Sequence, residues 1–64
     1  MTKKEQKQKA LAILNGYIQE LKEFGDGYGI IEKYDGAMSI VRNLGLITPS
    51  EEDALDKQID EIIY

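Results

Sequence analysis

The chain contains no cysteine and no histidine. Without cysteine it has neither a disulfide nor a thiolate metal site, and without both residues zinc and most transition metals lack their usual ligands. The same absences remove the most reactive nucleophile and the commonest proton-transfer group, leaving only serine, lysine or carboxylates for such work. Ser39 and Ser50 have no evident base near them in sequence. The expectation is a protein that is not an enzyme, with no cofactor and no metal. No apolar run approaches the ~18 residues of a membrane span. The opening Met1-Thr2-Lys3-Lys4 leads into glutamine and lysine, not into the apolar core of a signal peptide. A cytoplasmic protein with no membrane partner is expected.

What is present is 42% hydrophobic and 31% charged, the composition of an ordinary folded chain. Its 64 residues make room for a single domain, 1–64. A domain this short hides only about 60% of the surface its unfolded chain exposes. Small domains gain the missing stability from disulfides, metals or self-association. With the first two excluded, assembly into a homodimer or a higher oligomer is expected.

The net charge of −4 is polarised along the chain. Lys3, Lys4, Lys7 and Lys9 make the start basic, while the stretch after Gly45 holds six acids against Lys57. An acidic end argues against a protein that grips nucleic-acid phosphates over its whole surface.

Three helices are predicted, at about 2–24, 28–44 and 49–63. In the first, Ala10, Leu14, Tyr17, Leu21 and Phe24 step by four and three, and Leu11 and Ile18 widen the stripe. Asn15-Gly16 is a hairpin-turn signal, but the apolar spacing passes through it without a break, so the helix continues. Gly25-Asp26-Gly27 ends it, with Gly25 suited to the position past a helix and Asp26 to capping the next. In the second helix Ile30, Tyr34, Ala37, Val41 and Leu44 repeat the spacing, Ile31 and Met38 widen it, and Ile40 lies off the stripe. Gly45 and Leu46 fit a glycine-terminated helix cap. Thr48-Pro49-Ser50-Glu51 reads as a capping box with proline at the first helical position. Leu55, Ile59 and Ile62 form the third apolar face, with Ala54 and Ile63 at its edges. The fold class is therefore all-α: an antiparallel helical hairpin plus a third helix, a small three-helix bundle. If the chain reverses about Asp26, Gly16 and Gly36 lie at one level, which predicts a close helix crossing there.

Several groups are candidates for interaction. Phe24, Tyr28 and Tyr34 are expected to cluster beside the Gly25–Gly29 loop, and tyrosines serve well at interfaces. Ile40, Ile62, Ile63 and Tyr64 are apolar where the chain has little of itself to cover them. Asp53, Asp56 and Asp60 form an acidic face, with Lys57 spaced for ion pairs to Asp53 and Glu61. A helix-turn-helix around Gly45 is a poor DNA reader, and nucleic acid is not the expected partner, because its recognition helix would open Pro49-Ser50-Glu51-Glu52-Asp53 and repel phosphate.

In kind, a lysine-rich start and compact capped helices without cysteine or histidine resemble small accessory proteins of bacteria and their phages. The expected function is that of a self-associating helical interaction protein, an accessory or inhibitory binder of another macromolecule. Two other readings stand beside it. One is a small-molecule or nucleotide binder using the Gly25–Gly29 loop and its tyrosines; the other is an acidic decoy, mimicking nucleic acid through the third helix.

Overall fold

The computed structural model describes residues 2–63. Three helices follow one another: α1 (Lys3–Phe24), α2 (Ile30–Asn43) and α3 (Pro49–Ile63). A single 3-10 turn, Gly25–Tyr28, stands between α1 and α2. The second helix thus starts two residues later than its spacing suggests, because Gly27 and Gly29 hold Tyr28 in the tighter turn. At ~1.5 Å per residue the 22 residues of α1 match the 34 Å long axis of the molecule. The chain then reverses twice, and α2 and α3 both pack along α1.

The helix ends from Thr2 to Glu51 are closed by the groups their sequence advertises. The Thr2 hydroxyl accepts from the Glu5 amide at 3.1 Å, and the Asp26 carboxylate accepts from the Ile31 amide at 3.1 Å. Gly25 has φ 71° and ψ −171°, a region that a Cβ makes costly, and its N–H still donates to the Leu21 carbonyl. At the second corner, Gly45 (φ 68°) donates to Arg42 O at 3.0 Å and Leu46 N–H donates to Val41 O at 3.2 Å. This is a complete Schellman motif, and Leu46 packs back on the core. Thr48 and Glu51 then form the reciprocal box: Glu51 N–H donates to Thr48 Oγ1 at 3.2 Å, and Thr48 N–H donates to Glu51 Oε1 at 2.9 Å.

One core joins the helices: Ala10, Leu14, Ile18 and Leu21 of α1, Ile30, Tyr34, Met38 and Val41 of α2, and Leu55 and Ile59 of α3. The stripes of α1 and α2 both step by four, four and three. That matching periodicity lets two antiparallel helices meet rung by rung.

The close crossing expected at Gly16 and Gly36 is not made within the chain. Both glycines are exposed, and a Cβ on either would meet nothing within 4 Å. Both glycines lie on faces turned away from the core. Gly16 lies two residues from both Leu14 and Ile18, and Gly36 two from both Tyr34 and Met38, which at ~100° per residue turns them away from the core. Gly16→Ala and Gly36→Ala are therefore expected to raise stability by about 0.5–1 kcal/mol each through helix propensity alone. Urea unfolding of the two variants checks this; a loss of stability would show that the backbone there has a close neighbour.

Candidate interaction surface

The side chains that the core does not take up separate into two surfaces, one polar and one apolar. The polar one follows α3. Lys7 Nζ reaches both Glu51 carboxylate oxygens, at 2.9 and 2.8 Å, and Arg42 Nε lies 3.0 Å from Glu52 Oε1. The Lys7 hydrogen bond and the Thr48 amide together hold the Glu51 carboxyl below its ordinary range. Glu51 therefore closes the α3 cap and ties it to α1. The buried Tyr34 donates its hydroxyl to Asp56 Oδ1 at 3.0 Å. Burial pushes that phenol well above its ordinary pKa, and the hydrogen bond to Asp56 and the charges of Asp56, Asp35 and Glu52 add to the effect.

These contacts change the meaning of three sequence candidates. Tyr34 does not join an aromatic cluster at the loop; it is a core residue tied to α3. Asp56 is half-buried and engaged, while Asp53 and Asp60 are exposed. Among the described residues Lys57 forms no ion pair with Asp53 or Glu61, since Lys7–Glu51 and Arg42–Glu52 are the pairs made. A long exposed lysine gains little from being held in one geometry. No group of three acids among the described residues is arranged to hold a metal ion. No helix is long and apolar enough to cross a membrane, among the described residues.

The apolar surface is the side of the α1–α2 hairpin away from α3. Ile13, Phe24, Tyr28, Ile40 and Leu44 are 54% to 72% exposed. On α1 the positions 9, 13, 16, 20 and 24 recur at helical spacing on this side, and on α2 the positions 33, 37, 40 and 44 do so. At one end Ile13, Ile40 and Leu44 surround a groove of about 310 Å³ floored by Ala10, Ala37 and Val41. At the other end Phe24 and Tyr28 meet edge to face, 6.2 Å between ring centres, beside a smaller groove of about 220 Å³ flanked by Glu20 and Lys33. That second groove is below the ~300 Å³ at which small-molecule sites usually begin.

Placed on this geometry, the interaction candidates separate. Ile40 does not cover α3 and stands exposed in the apolar face. Phe24 and Leu44, expected in the core stripes, stand on this face instead, because each lies three residues past the last core residue of its helix, Leu21 or Val41, and is turned about 60° further from the core. Ile62 is half-buried against the core, Ile63 is 43% exposed, and Tyr64 lies outside the described residues. Sequence reasoning did not single out Ile13. Its signal was an apolar residue off the α1 stripe, seven before Glu20 and eleven before Phe24, the spacing of a second face.

Comparison with known proteins gives no further anchor: the chain matches no family model, no curated protein and no solved structure.

Proposed function

We propose that this is a small, non-enzymatic helical interaction protein that self-associates and acts by binding another macromolecule. One observation carries the reading. Five large apolar side chains line one side of a hairpin whose other side already holds the whole core. Single exposed apolar residues are ordinary, but a grouped set on one face marks an association surface. The engaged polar groups support the same reading, since Tyr34 of α2 and Asp56 and Glu51 of α3 are taken up in holding the helices together. Light scattering on a size-exclusion column at micromolar concentration tests the assembly, with more than one chain per particle as the expected result. A strictly monomeric, cooperatively folded species would sink it. Capture from cell lysate on immobilised protein tests the second part: a retained macromolecule should be released by excess free protein, and nothing specifically retained counts against it.

A further inference from the structure

We propose that a second copy of this chain covers the α1–α2 face, related by a two-fold axis parallel to the helices. The inference rests on the self-association reading above and assigns its surface and symmetry. The argument starts from what the face places at each level. Ile13 and Ile40 flank one groove, on α1 and α2, and Glu20 and Lys33 flank the other. A two-fold axis along the helices lays α1 of one copy over α2 of the other while keeping each level. Ile13 then faces the partner's Ile40, and Phe24 and Tyr28 meet their own copies. Glu20 faces the partner's Lys33, twice by symmetry.

Charge complementarity selects this arrangement. Glu20 and Lys33 belong to neither of the ion pairs made among the described residues. The alternative axis, in the plane of the face but across the helices, would set Glu20 and Lys33 on the apolar end of the other copy and bury charge against Ile13, Ile40 and Leu44, which is costly. The axis along the helices sets Glu20 and Lys33 against opposite charge, and the axis across them does not.

Size fits as well. A stable interface hides roughly 800 Å² per partner, under a fifth of the 4513 Å² that the chain exposes. One long side of a body measuring 34 × 20 × 15 Å is of that order. The two α3 helices remain on the outer sides of the dimer.

The test uses the full chain and three variants, all at solvent-exposed positions where the monomer fold is not at stake. Ile40→Glu is expected to weaken self-association at least ~30-fold, as for a central interface anchor, with an unchanged helical signal by circular dichroism. Glu20→Lys and Lys33→Glu should each dissociate the dimer, because each places like charges opposite one another twice. Mixed in equal amounts, those two variants should form a heterodimer, since each supplies the charge the other needs. A native dimer that persists in Ile40→Glu, or charge variants that stay apart when mixed, would overturn this interface while leaving self-association standing. A wild-type chain that is monomeric throughout would overturn both.

Discussion

Leu14→Ala is expected to cost about 2–5 kcal/mol, the range for emptying a buried leucine site. Leu14 is 0% exposed and lies mid-way along α1, in the one core that all three helices share. A chain below about 70–80 residues rarely draws more than ~3–5 kcal/mol from a single core. The substitution therefore removes most or all of the stability, and the thermal midpoint should fall by at least ~10 °C. Thermal and urea melts measure it. A loss below ~1 kcal/mol would mean that the core around α1 closes over the missing atoms, contrary to tight packing at that rung.

The second large effect is at Tyr34. Tyr34→Phe keeps the ring in the core but removes the 3.0 Å hydrogen bond to Asp56. With a charged acceptor the expected cost is about 1.5 kcal/mol, at the lower end of the usual range because Asp56 is only half-buried. The pH dependence reports on the buried hydroxyl, which burial first and the Asp56 bond second hold in its neutral form. The folded state holds the Tyr34 proton more tightly than the unfolded chain, whose ordinary value is 10.0. Its contribution is therefore complete below about pH 10 and is lost as the pH rises beyond it, because the unfolded state releases the proton first. The phenylalanine variant has no such proton to lose, so the stability gap between the two proteins should narrow above about pH 10. Urea unfolding at pH 7 and at pH 10.5 or so measures the gap; a gap that is constant across that range would show that the Tyr34 hydroxyl is not held buried and neutral in the folded state.

How much of this was legible in the sequence differs by the range over which each feature acts. The corner at Gly45–Glu51 was readable residue by residue, because a Schellman cap and a capping box are closed by groups at most five residues apart. The core stripes were readable from the four–three spacing, as far as the last rung at each end. Phe24 and Leu44 escaped, since three residues on from Leu21 and Val41 a helix has turned about 60° off the core face. The Gly16–Gly36 crossing was inferred from level alone, since a short connection limits how far two helices slide. What a level does not carry is direction around the helix axis, and there the crossing failed.

The interhelical polar contacts were not legible at all. Lys7–Glu51, Arg42–Glu52 and Tyr34–Asp56 join residues 44, 10 and 22 positions apart. Nothing local marks those partners: only the angle at which α3 settles on the hairpin brings them together. That same angle turned Asp56 from a member of an acidic face into the acceptor for a buried phenol.

By itself, then, the sequence determined three capped helices, their boundaries to within two residues, and a chemistry without cysteine or histidine. These follow from local periodicity and from hydrogen bonds closed within a turn or so of helix. The tertiary structure alone decided which side of the hairpin α3 would cover, and so which apolar residues stayed outside. A helix pair can offer two apolar sides, and a single third helix covers only one. Here it took the side of Tyr34 and left Ile13, Ile40 and Leu44 in the open.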